Sequence, residues 1–214
     1  MVKKTFLLLF LLLWAGSSHA AGPVILVVGD SISAAHGMAA GEGWVSLLER
    51  RLEEASLPYR VVNASISGDT TANVRRRLPA LLERHRPAIL VLELGGNDGL
   101  RGLSLQRMEE NLAAMIEVAR EGGAQVLLLG IQLPPNYGRR YTEAFAQVYL
   151  DLASRFDIPL LPSVVAGIGD NARLMQADGI HPTAQAQPLI LELVWKQLRP
   201  LLSASRDAAQ RAAQ

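Results

Sequence analysis

The chain has 214 residues, half of them hydrophobic, which is within the range of a single domain with a sizeable core. It has no cysteine, which excludes disulfides, a thiol nucleophile, thiolate metal sites and lipid attachment through cysteine. A formal net charge of +1 gives no hint of a nucleic-acid partner, and Arg75-Arg76-Arg77 reads as a helix surface among leucines rather than a phosphate patch.

In chain order, Lys3 and Lys4 precede an apolar run over residues 6–15, then Gly16-Ser17-Ser18-His19-Ala20. This is the pattern of a secretory signal peptide over residues 1–20, with cleavage after Ala20. Its apolar core is short for a membrane span, and no other segment is apolar enough to make one. Removing it takes away two lysines and no acid, leaving a slightly negative mature chain. The expected location is the periplasm or the exterior, with no stable membrane span after cleavage.

Residues 24–28 are apolar and mostly β-branched, and read as a strand buried on both faces, ending in Gly29-Asp30-Ser31. A Gly- and Ala-rich loop leads to a helix over residues 42–55, with Trp44, Leu47, Leu48 and Leu52 on one face. Residues 59–64 form a second strand, and residues 65–70 turn into a helix over 71–85. Thr70 or Asp69 can cap that helix, which must accommodate Pro79. Residues 88–94 are the third strand, followed by the turn sequence Gly95-Gly96-Asn97-Asp98-Gly99. A helix over 104–121 stops at Gly122-Gly123, and residues 124–131 are the fourth strand. A loop over 133–138 precedes a helix over 140–156, and residues 158–161 are a short fifth strand. A loop region ends in Asp178-Gly179-Ile180-His181-Pro182, and the last helix covers 183–202 with Pro188 in its early turns. Residues 21–202 are read as one domain, and residues 203–214 as a fraying tail. Alternating strands and helices with short connections imply a parallel sheet with helices on both faces.

In such a sheet the loops bearing Ser31, Gly68 and Asn97 leave from one edge, where ligands bind. Acyl transfer by a nucleophile needs a hydroxyl, a base, an acid that orients the base, and donors for the oxyanion. Ser31 can be the nucleophile, His181 the base and Asp178 the orienting acid. The Ser31 and Gly68 N–H groups and the Asn97 side chain can serve the oxyanion. Each also has an ordinary reading. Ser and Asp after a strand are turn and N-cap residues, the glycines and Asn97-Asp98-Gly99 make turns, and His181 before proline can be a plain loop residue. His36, in the loop near Ser31, is a weaker rival for the base, and His85 belongs to a charged helix end. Asp30 is read as a turn or supporting residue. No second histidine stands at metal-ligand spacing from His181.

Together these blocks resemble the GDSL, or SGNH, hydrolase family. They are Gly-Asp-Ser31-Ile-Ser, Ser-Ile-Ser-Gly68-Asp-Thr-Thr, Gly-Gly-Asn97-Asp and Asp178-Gly-Ile-His181-Pro, in family order from residue 24 to about 198. Ile32 stands where the family name has Leu. Residues 62–70, 93–102, 136–141 and 159–162 look like the bacterial periplasmic branch of thioesterase I, lysophospholipase and arylesterases. The resemblance implies a three-layer α/β/α, flavodoxin-like fold around a five-stranded parallel sheet. It implies hydrolysis of acyl esters and thioesters (aryl esters, acyl-CoA, lysophospholipids) through an acyl-enzyme on Ser31, without metal or organic cofactor. It further implies Ser31, Asp178 and His181 as catalytic residues, with Ser31, Gly68 and Asn97 at the oxyanion. Leu100, Leu103, Leu133 and Tyr137 are expected to wall the acyl pocket. The alternatives are a cell-envelope carbohydrate O-acetylesterase of the same family, and a non-catalytic flavodoxin-like binding protein. Against the last, the first loop lacks a P-loop or a Gly-x-Gly-x-x-Gly pattern.

Overall fold

The structure, a computed structural model, describes residues 22–39 and 41–212, so the signal-peptide reading of residues 1–20 lies outside the described residues. Strand β1 (Val24–Gly29) is buried along its whole length, as its unbroken apolar sequence requires. It pairs in parallel with β2 (Arg60–Asn63) on one side and β3 (Ile89–Glu93) on the other. Beyond β3 lie β4 (Gln125–Leu129) and β5 (Leu160–Leu161), again parallel. The strand order is β2-β1-β3-β4-β5. The central β3 is also buried throughout, whereas the edge strand β2 is partly exposed.

Helices α1 (Trp44–Glu54) and α6 (Gln187–Ala212) pack against each other. Helices α2 (Thr71–His85), α4 (Leu105–Glu121) and α5 (Arg139–Phe156) form a second packed set. The apolar stripe read from sequence on α1 is the buried one, with Trp44, Leu48 and Leu52 fully enclosed. In α2 the Thr70 hydroxyl accepts from the Asn73 N–H, and Arg86 ends the helix in a left-handed conformation. Pro79 lies inside α2 at an exposed position, so the N–H that it lacks is missing on the outer side of the helix. Pro188 takes the second position of α6, where a missing N–H costs little. α6 then continues past the expected end at Leu202 to Ala212, through an exposed Pro200.

One expected loop is a helix. Residues Gly96–Leu100 form a short helix, α3, entered through Gly95 at φ 116°. Only glycine adopts that conformation readily, and a side chain there would also strike the Tyr149 hydroxyl.

The strand order creates the site. The chain leaves β1 towards β2 on one side, and leaves β3 towards β4 on the other. A crevice therefore opens between the carboxyl ends of β1 and β3, where ligands settle in open α/β sheets. In register, Gly29 lies beside Glu93, so the loops carrying Ser31 and α3 start as neighbours.

Candidate active site

Ser31 follows β1 in a tight turn in which the Ala34 N–H donates to the Asp30 carbonyl and the His36 N–H to that of Ser31. Beneath it, one oxygen of Glu93 accepts from the Ser33 hydroxyl at 2.7 Å and from the N–H groups of Ser33 and Asp30 at 3.3 and 3.4 Å. Glu93 is 0% exposed. Burial, then the nearby Asp30 carboxylate, pushes its carboxyl well above the usual range. Gly29 is required here, because a Cβ would sit 2.7 Å from the same Glu93 oxygen.

His181 comes from a narrow return of the chain over residues 174–183. Met175 and Pro182 bridge in antiparallel fashion, and Gln176 N–H donates to the His181 carbonyl. At its tip Gly179 takes φ 66°. Asp178 Oδ1 accepts from the N–H groups of Ile180 and His181, at 2.9 and 3.0 Å. Its Oδ2 lies 2.7 Å from His181 Nδ1. His181 Nε2 in turn lies 2.9 Å from Ser31 Oγ. The carboxylate, imidazole and hydroxyl are thus joined in one chain. Burial alone would raise the Asp178 carboxyl, but the hydrogen bonds from His181 and Ile180 outweigh it and hold it at about 2. An ionised Asp178 fixes the tautomer in which Nδ1 carries the proton and Nε2 is free to take one from Ser31.

The Gly68 loop and α3 complete the crevice. Gly68 has φ 84°, and its N–H and that of Ser31 make no hydrogen bond among the described residues. Asn97 Nδ2 donates to Asp30 Oδ2 at 3.2 Å and to the Asp69 carbonyl at 3.0 Å. Asp30, 2% exposed, also accepts from the Ile32 N–H. Its carboxyl is raised to about 6, chiefly by burial, against the pull of that hydrogen bond and of the His181 charge.

A cleft of about 200 Å³ opens at Ser31, Asn97 and His181. Of the four expected wall residues, Leu100 and Leu133 line it. Leu103 and Tyr137 do not. Leu103 is 44% exposed just beyond α3, and Tyr137 turns its hydroxyl to the Leu100 carbonyl at 2.9 Å. The remaining apolar wall includes Ile131, Val165, Met175 and Ile180, which sequence reasoning missed. It also missed Glu93, although a lone acid in an apolar strand was a usable signal. Among the described residues, no group of three or more His, Asp or Glu side chains is placed to hold a metal ion, and no helix is long and apolar enough to cross a membrane.

Residues 27–188 match the family of GDSL-like lipases and acylhydrolases. The chain belongs to this GDSL family. Among its curated relatives is the protein named esterase TesA from Pseudomonas aeruginosa, 56% identical over 186 residues, which are 87% of this chain and 92% of the relative. A second, named thioesterase 1/protease 1/lysophospholipase L1, comes from Escherichia coli K12. It is 46% identical over 184 residues, 86% of this chain and 87% of its own. A crystal structure of TesA superposes with a TM-score of 0.82 at 57% identity, covering 83% of this chain and 99% of that one. The fold of this GDSL hydrolase is therefore that of an α/β esterase.

Proposed function

We propose that this GDSL hydrolase cleaves acyl esters and thioesters through an acyl-enzyme on Ser31. Its substrates are medium- and long-chain esters, aryl esters, acyl-CoA and lysophospholipids. The observation that carries the reading is the continuous contact from Asp178 through His181 to Ser31 Oγ. Ser31 Oγ attacks the acyl carbonyl while His181 Nε2 takes its proton. Asp178 stays ionised and stabilises the imidazolium. The tetrahedral oxyanion is met by the N–H groups of Ser31 and Gly68 and by the Asn97 amide. Because both Asn97 amide hydrogens are engaged with Asp30 and Asp69, Asn97 must share or release one of these bonds as charge develops. His181 protonates the leaving alcohol, phenol or thiol, then activates the water that frees the acid.

The apolar lining by Leu100, Ile131, Leu133, Val165 and Met175 favours a hydrocarbon acyl chain over the acetyl group of an envelope sugar. The signal-peptide pattern supports a periplasmic or secreted location for the mature enzyme, with cleavage following Ala20.

The test is hydrolysis of p-nitrophenyl esters from acetyl to palmitoyl by the purified mature protein, with Ser31→Ala alongside. Loss of turnover in the variant and acceptance of medium or long chains support the reading. Cleavage of acetate alone makes envelope sugar esters the substrate class. Equal activity in Ser31→Ala removes Ser31 from the chemistry.

A further inference from the structure

His36 does not act on Ser31, which His181 already contacts, yet its imidazole is not idle. Its ring lies over that of His181, with centroids 4.5 Å apart and planes tilted by 41°. The main chain of His36 is pinned on both sides. Its N–H donates to the Ser31 carbonyl at 3.0 Å, and its carbonyl accepts from Gln176 Nε2 at 2.8 Å. The same Gln176 Nε2 donates to the Pro182 carbonyl at 3.1 Å, and the Gln176 N–H to that of His181. Gly37, at φ 72°, leaves room for this amide, since a Cβ there would stand 2.5 Å from Gln176 Oε1. One hydrogen-bonded unit therefore ties the nucleophile turn to the loop of the base, with His36 at the seam. His181 lines the cleft and His36 does not, so this contact leaves the acyl path free.

We propose that His36 is a positioning residue for His181. The inference rests on the reading of His181 as the base. The His36 ring packs on the imidazole and keeps Nε2 aimed at Ser31 Oγ, 2.9 Å away. Asp178 holds the same imidazole through Nδ1.

The experiment compares wild type, His36→Ala, His36→Phe and His181→Ala on p-nitrophenyl butyrate from about pH 5 to about pH 9, so that kcat is read on the plateau. His36→Ala lowers plateau kcat roughly fivefold with KM within about twofold, because the base loses its support. His36→Phe keeps the ring packing and stays within about twofold of wild type on the plateau. Equal melting temperatures separate these effects from folding. Profiles of both His36 variants that overlay wild type, with His181→Ala inactive, overturn the proposal. Retained activity in His181→Ala overturns instead the assignment of the base.

Discussion

Thr71 gives both its main-chain and its side-chain hydrogen bond to one carboxylate, that of Asp98. The N–H reaches Oδ2 at 2.9 Å and the hydroxyl reaches Oδ1 at 2.6 Å. Asp98 is buried in α3, next to Asn97, and Thr71 is the first residue of α2. Asn111 of α4 also donates to the Thr71 hydroxyl. The carboxylate thus caps α2 with a charge at its positive end and fixes α3 against it. Asp98→Ala leaves a buried N–H without its acceptor. It should cost about 2–3 kcal/mol in urea unfolding and lower kcat by loosening Asn97. Unfolding free energy unchanged within about 0.5 kcal/mol would dismiss this carboxylate as a tie.

Asn97→Ala tests the oxyanion assignment itself. The side chain is joined to Asp30 and Asp69, not to the core, so the fold should survive. Removing one preorganised donor lowers kcat by roughly 10²–10³. The rate of labelling by an organophosphonate, which also builds charge on the same oxygen, should fall in parallel. A rate within about threefold of wild type removes Asn97 from the mechanism.

Gly68→Ala separates backbone geometry from packing. A Cβ at this position meets nothing closer than Arg101 Nη2 at 3.8 Å, so no clash is introduced. The penalty comes from φ 84°, which costs an L-residue about 1–2 kcal/mol. Relief of that strain turns the N–H away from the crevice. We expect kcat to fall more than tenfold while KM changes little. A stability loss with unchanged kcat would remove the Gly68 N–H as a donor.

Much of this was legible in the sequence where the chemistry is local. Helix α2 was readable at both ends, because Thr70 caps one and the run of periodic leucines stops before Pro87. The blocks bearing Ser31, Gly68 and Asn97 could be placed at one sheet edge because strand–helix alternation alone puts them there. What stayed hidden depends on distant contacts. Gly96-Asn97-Asp98-Gly99 has turn composition, and it is helical because Gly95 turns the chain and Thr71 holds Asp98. Val165 and Met175 lie in a segment without periodicity, so nothing local assigned them to the cleft wall. Tyr137 looked like a wall residue, but its hydroxyl is drawn to the Leu100 carbonyl. His36 and His181 are far apart in sequence, and only the return over residues 174–183 brings their rings together.

Chain-length preference should respond to Leu100. Its side chain faces the cleft, while its carbonyl is held by Tyr137, so a change of side chain leaves the backbone anchored. Leu100→Trp fills part of a cleft of about 200 Å³. The ratio of kcat/KM for decanoyl over butyryl esters should fall roughly tenfold, the scale of one or two methylenes in an apolar pocket. An unchanged ratio would move the acyl chain to another wall.

Stability should change with pH through Asp30. Its carboxyl is raised from 3.8 to about 6, chiefly by burial. Between these values the folded protein keeps a proton that the unfolded chain has released. Stability is therefore greatest below about pH 4 for this group, falls as pH rises towards 6, and stays lower above it. The full difference is on the order of 3 kcal/mol. Glu93, raised by burial and by Asp30, acts in the same direction. Asp178 does not compete in this window. Held at about 2, it contributes its stabilisation above its unfolded value and loses it only as pH falls towards 2. Urea midpoints of wild type should decline from about pH 4.5 to about pH 7, and Asp30→Asn should flatten the decline. The slopes, not the absolute midpoints, carry the comparison, because Asn also alters the hydrogen bonds to Ile32 and Asn97. Parallel slopes for the two proteins would mean that Asp30 does not take up its proton in the folded state across this range.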